Sequence, residues 1–183
     1  MTTPANHIDL GTVLRQTLAA NLYSNLVTRP TGRAVRTQIE LLLKDADRSL
    51  TVIDFSHVQM IDFSCADEVL AKLMLSREEE RETYFVVRGM TDDHWHAIEQ
   101  VLEHHGLAIV VERGDGVDLL GVLDETESAL WQALKRRGRC TAAECAADAR
   151  ADEADARAAL ERMWRRRLIA RRDELFMPVS ALS

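Results

Sequence analysis

Between residues 62 and 68 the chain reads Asp62-Phe63-Ser64-Cys65-Ala66-Asp67-Glu68, the densest grouping of reactive side chains in the sequence. Clustered carboxylates raise one another's pKa and can do acid–base work. No lysine or histidine lies within the motif to activate a nucleophile, and a helix start accounts for all three acids, so no catalytic residue is expected. Ser64 supports two readings that are compatible with each other. It can cap a helix, with Asp67 as the capping-box acid, or it can accept a phosphate beside the unpaired amides of a helix start. A phosphoserine brings nearly two negative charges, enough to recruit or expel a docked partner. Cys65 would titrate low at a helix start, or pack as a small buried filler.

Two other groups carry chemistry. His94, His96, His104 and His105 lie at opposite ends of one expected helix, roughly 15 Å apart at 1.5 Å per residue, too far to share a metal. They read as the tips of a surface helix. Over 134–172, basic side chains outnumber acidic ones by roughly two to one, although the whole chain carries a formal net charge of -7. Arg157, Arg162, Arg165, Arg166, Arg171 and Arg172, with Lys135, Arg136, Arg137 and Arg139 nearby, could meet phosphates across a nucleic-acid groove. Against this, Asp152, Glu153 and Asp155 sit where a recognition helix usually meets base edges, which leaves Arg157 as the only base reader.

The elements that position these groups follow from periodicity. Leu50-Thr51-Val52-Ile53-Asp54-Phe55 is a short β-branched run, the pattern of a strand buried on both faces. Val69, Leu70, Leu73 and Met74 fall at helix spacing, so 50–75 reads strand, loop, helix. Upstream, Asp9 caps a helix with the stripe Leu10, Val13, Leu14, Leu18 and Leu22. Pro30 and Gly32 mark a turn or helix start, and Val35, Ile39, Leu42 and Leu43 a second helix. Glu78-Glu79-Glu80-Arg81-Glu82 reads as a solvated turn. Thr83–Arg88 and Leu107–Val111 are strand candidates around a helix opened by Thr91 or Asp92 and closed by Gly106. After Arg113-Gly114-Asp115-Gly116 turns the chain, 117–123 is a hairpin partner. Alternating strands and helices give an α/β domain over 1–120 with a largely parallel sheet.

From Asp124 the strand runs stop. Asp124 or Thr126 caps a helix ended by Gly138. Thr141-Ala142-Ala143-Glu144 is a capping box, and Asp152 caps a third helix built on Ala156, Leu160 and Met163. Two short strands around Asp173-Glu174 complete three helices and a hairpin, a winged helix-turn-helix plan over 121–183. Three cysteines (Cys65, Cys140, Cys145) fit no zinc or CxxC spacing and cannot all pair, so reduced thiols and a cytoplasmic location are expected. No run of about 18 apolar residues occurs, so no membrane partner is expected, and no nucleotide-binding fingerprint or other cofactor motif is present.

Both halves resemble known families. Val58-Gln59-Met60-Ile61-Asp62-Phe63-Ser64-Cys65 resembles the Val-x-x-Ile-Asp-Ser-Ser-Gly loop of STAS domains, found in anti-sigma factor antagonists and sulfate-transporter tails. Phe63 stands for the family's first serine and Cys65 for its glycine. Asp54-Phe55 and Ser64-Cys65-Ala66-Asp67-Glu68 look closer to the STAS-like branch with Asp-Phe and Phe-Ala-Asp-Glu motifs. The resemblance implies a STAS-like sheet with flanking helices, Ser64 as the phosphorylation candidate, and a partner surface on Asp62, Phe63, Ser64 and Asp67. It implies an anti-sigma factor or kinase as the partner. The span 126–179 resembles winged helix-turn-helix domains of bacterial regulators, through Thr141-Ala142-Ala143-Glu144-Cys145-Ala146, Ala158-Ala159-Leu160-Glu161-Arg162-Met163 and Arg167-Leu168-Ile169-Ala170-Arg171. The expectation is a non-enzymatic regulator whose winged helix binds DNA. The alternative is a scaffold or antagonist whose winged helix serves dimerisation or partner docking.

Overall fold

The computed structural model describes residues 5–18, 24–44, 49–76, 83–114 and 116–182. The expected Leu22, the acidic run 78–82 and the Asp115 turn position lie outside them. The fold is mixed α/β. The main sheet contains β1 (Asn6–Asp9), β3 (Leu50–Asp54), β5 (Tyr84–Arg88), β6 (Ala108–Arg113) and β7 (Gly116–Gly121), in the order β1-β3-β5-β6-β7. The first four are parallel, with Ile8 opposite Ile53 and Val52 opposite Val86, and β7 returns antiparallel as a hairpin.

The parallel strands advance in one direction only. Right-handed crossovers then place every connecting helix on the same face. These are α1 (Leu10–Leu18), α2 (Arg29–Lys44), the rod built from α3 (Phe63–Ala66), a π turn (Asp67–Ala71) and α4 (Lys72–Leu75), and α5 (Asp92–His105). Ile8, Ile53, Phe55, Phe85, Val87, Ile109 and Val111 point into that helical layer, against Val35, Ile39, Val69, Leu70, Ile98 and Leu102. Alternate residues point the other way, so Leu50, Val52, Tyr84, Val86 and Val110 form a second apolar face.

The C-terminal segment covers that second face. Helices α6 (Glu125–Arg137), α7 (Ala142–Ala149) and α8 (Glu153–Arg165) lead to the hairpin β8 (Ile169–Arg172) and β9 (Leu175–Pro178), then a 3-10 turn (Val179–Leu182). Ala170, Met177 and Val179 pack on the sheet. The helices and Phe176 close their own core around Trp131, Leu134, Leu160 and Met163, which also takes in Ala108 of β6. The Trp131 indole N–H donates to Asp118 Oδ1 of β7 at 2.7 Å, and Lys135 Nζ lies 3.1 Å from Asp118 Oδ2.

The caps follow the residue types. Asp9, Thr91, Asp124, Thr141 and Asp152 each accept a backbone N–H at a helix start. Three details differ from expectation. Leu42 faces outward, 49% exposed. The polar four-residue strand β1 and the two-residue pair β2 (Asn25–Leu26) and β4 (Met60–Ile61) have no run long enough to show as an apolar pattern. Cys140 and Cys145 are joined as a disulfide, Cα–Cα 6.0 Å, so the expectation of three reduced thiols is corrected. The cause is local. With Thr141 as N-cap, these residues occupy the positions before the cap and one turn in, where helix starts bring side chains together. Cys65 alone of the three is unpaired.

Candidate interaction elbow

The loop between β3 and α3 is pinned before it reaches its reactive residues. β2 and β4 pair in parallel, the Gln59 N–H donates to Ser24 O at 2.8 Å, and the Asp62 N–H donates to Leu26 O at 3.0 Å. Asp62 takes an extended backbone and becomes the N-cap, its Oδ1 accepting the Cys65 N–H at 2.8 Å. This corrects the expectation that Ser64 caps the helix and Asp67 completes the box. The Ser64 hydroxyl, one residue inside the helix, instead donates to the same Asp62 Oδ1 at 2.8 Å. Ser64 is half-buried. Phe63, 39% exposed, and Met60, 54% exposed, leave apolar surface on the same stretch of chain.

Asp67 and Glu68 are not on that surface. They open the π turn at 7% and 0% exposure. Arg29 Nη1 of α2 bridges them, 2.6 Å from Asp67 Oδ2 and 3.0 Å from Glu68 Oε1. Lys72 Nζ contacts Glu68 Oε1, Arg36 lies 3.5 Å from Glu68 Oε2, and His105 Nε2 is 2.7 Å from Asp67 Oδ1. Burial pushes the Asp67 carboxyl up, but hydrogen bonds from Arg29 and His105 with the charges of Arg29 and Lys72 outweigh it and hold it below the ordinary range. The same contest, won by Lys72 and Arg29, holds Glu68 low. Both carboxylates are therefore ionised anchors and not proton donors. Asp67 supports the elbow from beneath and is not placed to meet a partner.

Gly32 makes this arrangement fit. A Cβ there would stand 3.0 Å from Glu68 Cβ and 3.1 Å from Cys65 Cα, so a side chain at this position would push α2 and the rod apart by a few tenths of an ångström. Cys65 is fully buried, its thiol donating to Thr28 O at 2.9 Å. Burial, then the Asp62 charge, pushes that thiol up to about 11, which suits a core filler and not an oxidant sensor.

The histidines also differ from expectation. His94 is fully buried and completes the Thr91 capping box, its Nδ1 accepting the Thr91 N–H at 3.1 Å. Burial first holds its pKa below the ordinary value. His104 packs edge-on against Phe63, centroids 5.9 Å apart, beside His105. Two of the four histidines thus buttress the elbow. Sequence reasoning missed Arg29, Arg33, Arg36 and Lys72, and placed His105 only at the tip of a surface helix. Arg29, Arg33 and Arg36 share one helical face, and Lys72 follows Glu68 by four residues, which were the available signals.

Most of the arginines expected at DNA have an acidic neighbour within the chain, and Arg157, Arg162 and Arg165 remain about half or more exposed. Arg162 Nη2 lies 2.8 Å from Asp124 Oδ2, and Arg166 reaches Glu127 at 3.0 Å and Val122 O at 2.6 Å. Arg157 lies 3.5 Å from Glu174, Arg165 3.8 Å from Glu161, and Arg171 3.6 Å from Glu161 with its guanidinium over Trp164 and Phe176. Arg172 is exposed and makes no ion pair among the described residues. The β8–β9 hairpin lays its apolar face, Ala170 and Met177, on the main sheet.

Among the described residues no group of three or more His, Cys, Asp or Glu side chains is arranged to hold a metal ion, and no helix is long and apolar enough to cross a membrane. No protein-family model, no curated protein and no solved structure matches the chain.

Proposed function

We propose that this protein is a non-enzymatic protein-interaction module whose docking point is the elbow Asp62-Phe63-Ser64, with Ser64 as its phosphorylation site. The observation that carries the reading is the division of labour around α3. Phe63 and Met60 present apolar surface on the same stretch of chain as a half-buried hydroxyl, while the neighbouring carboxylates are neutralised from within. The resemblance to STAS domains supports the same residues and an anti-sigma factor or kinase as the partner. Phosphorylation would act through the cap. A phosphate on Ser64 would replace the donor that Asp62 accepts with a dianion and set two negative groups against each other at the helix start. The elbow would open or the phosphate would take the amides from Asp62. Either outcome changes the surface beside Phe63.

In this reading the C-terminal half is a winged helix-turn-helix used inside the chain. It covers the sheet's outer face and spends Arg162 and Arg166 on Asp124 and Glu127. The second reading, transcriptional regulation through DNA, is favoured by Arg165, whose side chain is 75% exposed, and by exposed Arg172 on the same half.

Capture from the native cell lysate with wild-type and Ser64→Asp protein tests the proposal. A partner retained by one form and lost by the other is expected, whereas identical captures would contradict the switch. Binding to random duplex tests the second reading. Affinity that falls with added salt, and falls again when Arg165 and Arg172 are replaced, would restore it.

A further inference from the structure

We propose that the cleft between α1 and α2 binds a small organic oxyanion, a phosphate monoester or carboxylate, held by Arg29 and Arg33. It is an open depression of about 470 Å³, lined among the described residues by Thr17 of α1 and by Arg29, Pro30, Arg33, Ala34, Thr37 and Gln38 of α2. Among the described residues no carboxylate lines it.

The cations at its edge are not fully consumed by the acids behind them. Arg29, Arg33, Arg36 and Lys72 are four cationic side chains sharing three carboxylates, Asp67, Glu68 and Glu40. Arg29 spends Nη1 on Asp67 and Glu68, and among the described residues its Nε and Nη2 make no hydrogen bond. Among the described residues Arg33 comes no closer than 4.0 Å to a carboxylate, and its side chain is 65% exposed. Its guanidinium makes no hydrogen bond among the described residues. Two planar forks with unused donors, one turn apart on one helix, match the geometry of phosphate and carboxylate oxygens. The Thr37 hydroxyl donates to Arg33 O, which leaves its oxygen to accept from a ligand hydroxyl, and the Gln38 amide supplies a further polar contact. The buried carboxylates fix Arg29 in place, so half of the fork is ordered before a ligand arrives. None of the elbow residues Asp62, Phe63 and Ser64 lines this site.

The test uses the full chain and titrates inorganic phosphate, then acetate, at constant ionic strength held with chloride. Arginine side-chain N–H resonances are followed by NMR. Saturable shifts at Arg33 and at the Gln38 amide are expected with at least one of the two anions, and the anion that saturates assigns the headgroup. Arg33→Gln is expected to weaken that binding by about tenfold. Arg33 sits at the rim at 65% side-chain exposure, and thermal unfolding of the variant checks that it is folded. Linear, non-saturating shifts with both anions would overturn the proposal, as would equal binding by the folded Arg33→Gln protein.

Discussion

His105 Nε2 stands 2.7 Å from Asp67 Oδ1, a contact that joins the last turn of α5 to the π turn across 38 positions of sequence. It locks the helix that carries the Phe63 buttress His104 to the rod that carries Ser64. Replacing His105 with Ala removes a hydrogen bond to a buried charge. A loss of about 1–3 kcal/mol is expected by urea unfolding. An unchanged midpoint would show that the contact does not hold α5 to the rod.

Glu68 is the most deeply placed charge in the network, with Lys72, Arg29 and Arg36 around it. Removing one partner of a buried ionic cluster strands the others. Glu68→Ala is therefore expected to cost about 3 kcal/mol or more, measured by denaturant unfolding. Glu68→Gln keeps the shape and should cost less.

Acid should destabilise the fold in two stages. His94 is held below its ordinary 6.5 by burial, so the unfolded chain binds its proton first. Stability then falls as pH drops through 6.5 and levels off below the folded value. Asp67 and Glu68 are held below 3.8 and 4.5, so their contribution is complete above those values and is lost as pH falls through the lower folded ones. Melting temperatures across an acid series should show both declines. His94→Gln should remove the first alone, and a first decline that survives in that variant contradicts the assignment.

Truncation after Gly121 removes the cover from Leu50, Val52, Tyr84, Val86 and Val110. An uncovered apolar face of that kind promotes association. The truncated chain is expected to bind a hydrophobic dye and to aggregate in light scattering. A soluble monomer with native circular dichroism would show that the sheet stands without its C-terminal partner.

The cap makes its own prediction. Asp62→Ala should cost about 1 kcal/mol, the usual worth of a capping carboxylate, read from thermal unfolding. Ser64→Asp places a second carboxylate against the first, and it should lower the melting temperature further than Ser64→Ala does.

The parts of this fold legible in the sequence are those fixed by local rules. The β-branched runs at 50–55 and 83–88 became β3 and β5, Gly106 and Gly138 closed their helices, and Thr141 with Glu144 formed its capping box. What local rules do not encode was missed. The basic face shared by Arg29, Arg33 and Arg36 does not say that its partners are Asp67 and Glu68, 38 and 39 residues from Arg29. His94 resembles a surface histidine until its ring replaces the usual acid of a capping box. Ser64 and Asp62 both suit an N-cap, and the choice was made by the β2–β4 pairing that sets the backbone of Asp62. The use of the hairpin as a lid on the sheet depends on all crossovers falling on the other face. That is a property of topology and not of any segment.

The most direct measurement is photo-crosslinking in the native cells, with a benzophenone side chain at position 63 and a control at exposed Glu103. The account predicts a discrete adduct with a second protein from position 63 alone, altered in yield by Ser64→Asp. No adduct from position 63, or the same adducts from both positions, would contradict the claim that the elbow is a docking surface.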